Sequence, residues 1–148
     1  MNAVRFVVTD LRCEYLRNPL GIDVAQPRFA WKLVARDASI RDISQHAYQL
    51  QVATSPDFSD EQALIWDSGL VHSDASVQRV YAGPHLSPRT RYYWRGQVWD
   101  NLENASGWSD ADGSETWWEM ALAPEEWQAE WIAPAQADDA SISNPAPY

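Results

Sequence analysis

Three histidines (His46, His72, His85), one cysteine (Cys13) and 21 acidic side chains are the groups of this 148-residue chain that could move protons, attack carbon or hold a metal. Each of those chemistries needs a constellation. A nucleophile needs a base beside it, zinc needs three or four Cys, His or carboxylate ligands, and a phosphate needs a glycine-rich turn before a helix. The sequence contains no G-x-S-x-G, no G-x-G-x-x-G, no Walker A loop and no H-E-x-x-H. The histidines are far apart along the chain, at positions that read as strand edges or turns, so all three are expected to be exposed or structurally satisfied. Asp110-Ala111-Asp112-Gly113-Ser114-Glu115 has the composition of a calcium loop but not the twelve-residue ligand spacing, and reads as a solvated acidic turn. Carboxylates work as an acid and base pair only at a set separation across a cleft, which spacing along a chain does not provide. No residue is therefore assigned a catalytic role, and no metal or cofactor is expected.

The nine tryptophans are the other chemical signal. A buried Trp fills on the order of 200 Å², which suits the space between two sheets, whereas an exposed ring can stack on a sugar or a partner. Trp31 and Trp94 fall on the inward phase of their segments and are expected in the core. Trp99 and Trp108 are the candidates for a surface role. Arg95 shares the outward phase with Trp99, so a guanidinium stacked on that indole is natural. Arg95, Trp99 and Trp108 thus form a candidate group for a structural stack, a domain contact or a sugar contact.

The elements that must position these rings show period-2 alternation and little helical periodicity. Strands are expected near Phe6 to Arg12, over Phe29 to Val34, over Tyr48 to Val52 before the turn Ser55-Pro56-Asp57, within Ala63 to Val71, over Val77 to Tyr81 before Gly83-Pro84, and over Thr90 to Trp99. Gly107 to Met120 reads as the last strand or pair of strands, bulged near Gly113. Pro19 to Gly21 and Gln26-Pro27 keep residues 17–27 irregular. About seven short strands separated by turns predict an all-β, two-sheet antiparallel β-sandwich of the fibronectin type III or immunoglobulin kind. It is expected over 1–123, with 124–148 a linker and the truncated start of a following domain. In that tail, Pro124-Glu125-Glu126-Trp127 reads as one helical turn and 135–148 as flexible, while Trp127, Trp131 and Ile132 are candidate contacts to the next domain.

A net charge of −10 repels phosphate backbones and anionic lipid, so neither nucleic acid nor membrane is an expected partner. The asymmetry is strong: past Arg95 there are eleven acidic residues and no Lys or Arg. One cysteine cannot form an intramolecular disulfide, which fits a reducing compartment, and the start of the chain meets a charge before any signal-like apolar run. A cytoplasmic, unanchored protein is the expectation.

Leu86-Ser87-Pro88-Arg89-Thr90-Arg91-Tyr92, followed by alternating apolar residues, resembles the fibronectin type III signature L-x-P-x-T-x-Y, and Gly107-Trp108-Ser109 matches the G-W-S that often opens its last strand. That likeness makes Tyr92 the corner tyrosine, its hydroxyl bonded back to the preceding loop. A second likeness covers almost the whole chain. Leu11-Arg12-Cys13-Glu14-Tyr15, Asn18-Pro19-Leu20-Gly21-Ile22-Asp23, Pro27-Arg28-Phe29-Ala30-Trp31, Ala47 to Ala53, Leu64 to Gly69, Tyr81 to Pro84, Val98-Trp99-Asp100 and Trp131-Ile132 resemble, in order and spacing, the opening of bacterial α-L-rhamnosidases. The resemblance implies a first β-sandwich preceding further β-domains and an α/α-barrel whose glutamates remove terminal α-L-rhamnose with inversion. It implies an amino-terminal fragment to which none of those glutamates map.

Three functional readings follow. The first is a non-catalytic accessory domain of a protein resembling an α-L-rhamnosidase, its partners the other domains of that parent. The second is a carbohydrate-binding module, which requires a row of exposed aromatics among Trp99, Trp108, Trp117 and Trp118. The third is a freestanding protein-interaction module with one large apolar patch. The first is preferred; sugar binding by this chain is not expected, and the exposed tail aromatics are expected to fold back on the sandwich or to drive weak self-association.

Overall fold

A computed structural model describes residues 4–132. Eight strands follow in order: β1 (Phe6–Cys13), β2 (Arg28–Ala35), β3 (Gln45–Ala53), β4 (Leu64–Asp67), β5 (Val71–His72), β6 (Arg79–Val80), β7 (Arg91–Asp100) and β8 (Trp117–Glu119). One sheet runs β1-β2-β6 and the other β4-β3-β7-β8, with β5 also paired to β3; all strand pairings are antiparallel. The fold class read from the alternation is the one observed.

The inward phases meet between the sheets. Phe6, Val8, Phe29 and Trp31 face Tyr48, Leu50, Val52, Tyr92, Trp94, Val98 and Trp118, all buried. Aromatic rings tie the two layers together, Phe29 lying 4.5 Å from Trp94 and 5.5 Å from Trp118 across the core, while within the larger sheet Tyr92 stacks on its cross-strand partner Trp118 at 5.4 Å. Trp31 and Trp94 are core residues, as their phase requires. The Tyr92 hydroxyl accepts a 2.8 Å hydrogen bond from the Ser87 N–H, closing the tyrosine corner at one end of the sandwich.

Two strand boundaries differ from expectation. Ala63 to Val71 divides into β4 and β5 because Gly69 takes φ +64 and the Ser68 hydroxyl accepts the Leu50 N–H, replacing one ladder bond. The segment Gly107 to Met120 is not a continuous strand. Ser106, just before it, and Ser109 within it join β7 by mixed pairing: their backbone N–H groups donate to the Val98 and Gly96 carbonyls, while their Oγ atoms accept the Val98 and Gly96 N–H groups. The chain then leaves in a turn at Asp110–Gly113, where Gly113 has φ +83, and only Trp117–Glu119 returns to the ladder. Side-chain acceptors in place of carbonyls satisfy β7 but do not continue a strand.

Residues 17–27 are largely irregular, as expected, yet they are tied down: Ile22 N–H donates to the Glu119 carbonyl and Ala121 N–H to the Ile22 carbonyl. Pro124–Glu126 forms one 3₁₀ turn, with Glu126 Oε2 accepting the Ala123 N–H and Glu126 Oε1 pairing with Arg89 at 3.0 Å. The expectation of flexibility over 135–148 lies outside the described residues.

Candidate functional site

Arg95 sits near the middle of β7 on the outer face of the larger sheet, and the structure corrects its expected partner. Successive residues of a strand rise about 3.3 Å, so Arg95 and Trp99, four apart on one face, are about 13 Å apart. Arg95 stacks instead between loop residues, 4.2 Å from the Trp108 ring and 4.5 Å from Phe58. Its Nε and Nη2 donate to Gln51 Oε1 at 3.0 and 2.8 Å, and Nη1 lies 3.4 Å from the Asp110 carboxylate. One side chain thereby fastens the loops after β3 and after β7 to the sheet.

A polar network continues across the same face. Asp67 accepts from Gln49 and Gln51, and Gln97 donates to Gln49. Burial opposes ionisation of Asp67, but the hydrogen bonds from Gln51 and Gln49 outweigh it and hold its carboxyl below the usual range. Beyond β7, Arg91 covers the Trp117 ring at 3.7 Å while pairing with Glu119. Trp118 is fully buried, and Trp99, Trp108 and Trp117 are half-buried, so the row of exposed rings that a sugar platform requires is not formed by these four.

On the smaller sheet, a bulge between Thr9 and Arg12 turns Asp10 to φ +50 and surrounds it with Arg17 at 2.6 Å, Lys32 at 3.0 Å and Arg12 at 3.1 Å. Hydrogen bonds from Lys32, Arg17 and Arg12, in that order, hold the Asp10 carboxyl far below the ordinary range. Asp100, buried at the end of β7, accepts from Leu102 N–H, Asn104 N–H and Asn104 Nδ2. Both carboxylates organise turns. Cys13 is buried, and loss of solvation pushes its thiol upward, away from the nucleophilic thiolate.

Residues Ile22, Ala25, Leu86, Met120, Leu122 and Trp127 are among those lining an apolar groove of about 420 Å³ at the corner end of the sandwich. Trp127 leans over it, 67% exposed. Trp131 and Ile132 do not fold back on the sandwich: they stand fully in solvent, in a segment without regular secondary structure after the 3₁₀ turn. At the opposite end, His46 and His72 come together, which their separation in sequence concealed. Among the described residues no three His, Cys, Asp or Glu side chains already stand together as a metal site, and no helix is long and apolar enough to cross a membrane.

Two facing antiparallel sheets closed by a tyrosine corner define an immunoglobulin-like β-sandwich domain. A family model described as Rha78A-like, N-terminal immunoglobulin domain matches residues 8–124, and the chain belongs to that family. It is 43% identical over 148 aligned residues to an α-L-rhamnosidase of Streptomyces avermitilis, covering 95% of this chain and 13% of the relative. An α-L-rhamnosidase of Formosa agariphila is 36% identical over 119 residues, 80% of this chain and 12% of that protein. Among solved structures, the Streptomyces avermitilis α-L-rhamnosidase complexed with L-rhamnose superposes with a TM-score of 0.75 at 42% identity, over 86% of this chain and 12% of that one. The α-L-rhamnosidase from Dictyoglumus thermophilum gives 0.75 at 32% identity, over 88% and 14%. The chain thus spans about an eighth of the length of its relatives.

Proposed function

We propose that the chain is the non-catalytic N-terminal accessory domain of an enzyme that, like these relatives, removes terminal α-L-rhamnose from glycosides, and that it holds neighbouring domains in register. The observation that carries this reading is the family match to an N-terminal immunoglobulin domain by a chain that covers only 12–14% of these relatives. The geometry supports it, because Arg95, Arg91, Asp67, Asp10 and Asp100 are engaged in holding loops and strands. Hydrolysis of a glycoside needs an acid and a second carboxyl facing each other across the scissile bond.

The partner in this reading is the remainder of the same polypeptide, met where the chain leaves the sandwich. The last ladder-like bonds of the described chain involve Met120 and Ala121, which favours a boundary at 123 with 124–148 leading into the next domain. Trp131 and Ile132 are each worth roughly 2–3 kcal/mol when buried, so they would dock there or, without a partner, drive weak self-association. The single, buried Cys13 supports a cytoplasmic location, and the relatives' names support a place in carbohydrate metabolism.

The test is to offer the purified chain an aryl α-L-rhamnoside. No turnover is expected. Turnover that disappears when one of the chain's own carboxylates is replaced would overturn the reading. Deleting residues from Pro124 onward should leave the sandwich folded and lower any concentration-dependent association; unfolding would move the boundary.

A further inference from the structure

We propose that His46 and His72 form a site for a borderline divalent transition-metal ion, Zn²⁺ foremost, with Glu103 as a third protein ligand. The two histidines lie on β3 and β5, where Ala47 pairs with His72 and so places His72 on the outer face. Against β7, Gln45 pairs with Asp100 and Ala47 with Trp99, so β3 takes two steps where β7 takes one. The extra residue is His46. In a regular strand His46 and Ala47 would face opposite ways, but a bulge re-aims the inserted side chain, and here it brings His46 beside His72.

The ring centres are 5.6 Å apart with planes at 67°. At a Zn–N distance of about 2.0–2.1 Å, two imidazoles on one tetrahedral ion hold their centres about 5 Å apart, so the pair is close to a chelating spacing. Both side chains are exposed, which leaves ring nitrogens open to a ligand. Together with Ala47, Leu70, Trp99 and Glu103 they line a cavity of about 320 Å³, room for an ion and its remaining waters. Glu103 sits in the turn after β7 at φ +63, on the rim of that cavity. The three groups are not already gathered, so the Glu103 carboxylate must rotate inward.

Ligand chemistry sets the choice of ion. Imidazole nitrogens suit Zn²⁺, Cu²⁺ and Ni²⁺, whereas Mg²⁺ and Ca²⁺ prefer all-oxygen sites. The net charge of −10 attracts any cation. A bound ion would tie the two-residue β5 and the turn after β7 to β3, and would stabilise the fold by linkage.

Titration of the full metal-free chain with ZnCl₂, followed by calorimetry and thermal melting, tests the site. Saturable binding of one ion per chain with a rise in Tm is expected, while MgCl₂ gives neither. His46→Ala and His72→Ala should each weaken binding about tenfold or more and abolish the rise, and Glu103→Gln should weaken it severalfold. His85→Ala, at the other end of the sandwich, should leave binding unchanged. The replaced side chains are exposed, so equal melting of all variants without zinc confirms that they fold. No saturable binding below about 1 mM, or binding that survives replacement of both His46 and His72, overturns the proposal.

Discussion

Trp31 and Trp94 are both buried between the sheets, but their indole N–H groups have opposite fates. Trp31 Nε1 donates to Gln45 Oε1 at 3.0 Å, whereas Trp94 Nε1 is buried without a partner. Gln45 cannot turn to find a substitute, because its amide also donates to the Ser73 and Ala75 carbonyls at 2.9 and 2.7 Å. Replacing either tryptophan by phenylalanine removes about three ring atoms and leaves a void costing roughly 1–2 kcal/mol. At position 31 the change also strands a buried acceptor, adding about 1–3 kcal/mol; at position 94 it removes an unsatisfied donor and returns a similar amount. Trp31→Phe is therefore expected to cost about 2–5 kcal/mol and Trp94→Phe to fall between a gain of about 2 and a loss of about 1 kcal/mol, a gap of at least about 2 kcal/mol. Urea unfolding followed by far-UV circular dichroism measures both midpoints, with unchanged slopes as the sign that only native-state stability moved. Equal losses, or a larger loss at position 94, would refute this account of polar satisfaction in the core.

Tyr92→Phe should lower stability by about 1 kcal/mol without changing the fold, because it removes the acceptor of the Ser87 N–H; an unchanged denaturant midpoint would reject the corner assignment. Asp10 has its carboxyl pKa depressed in the folded state, so the stability it adds is complete above its unfolded value of 3.8 and is lost as pH falls toward and through the lower folded value. Asp10→Asn should accordingly flatten the acid limb of a stability–pH curve, and an identical limb would contradict the three-cation cluster. Arg95→Met keeps the alkyl stem but removes the planar cation between Phe58 and Trp108, and is expected to cost about 1–2 kcal/mol. Its clearest readout is faster amide exchange in the loops carrying those rings.

Much of this fold is legible in the sequence, and the reason is local. The pleat sends successive side chains to opposite faces, so Phe29 and Trp31, or Tyr92, Trp94 and Val98, declare the inward side of their strands without reference to anything distant. The corner at Tyr92 is legible for the same reason, since its partner lies only five residues back. The limits of the last strand were not, because the serines that occupy β7's N–H groups look like any polar residues until their partners are known. The candidate site residues divide in the same way. That Arg95 points outward follows from its phase, but that it rests on Phe58 and Trp108 rather than Trp99 depends on where two loops return. The meeting of His46 and His72 depends on a single inserted residue in β3. Sequence alone determined which way the residues of the regular strand runs face, because the pleat alternates them locally; only the tertiary structure decided where a bulge re-aims a side chain such as His46 and what each residue meets, because register, bulges and loop paths are fixed by contacts between residues far apart in the chain.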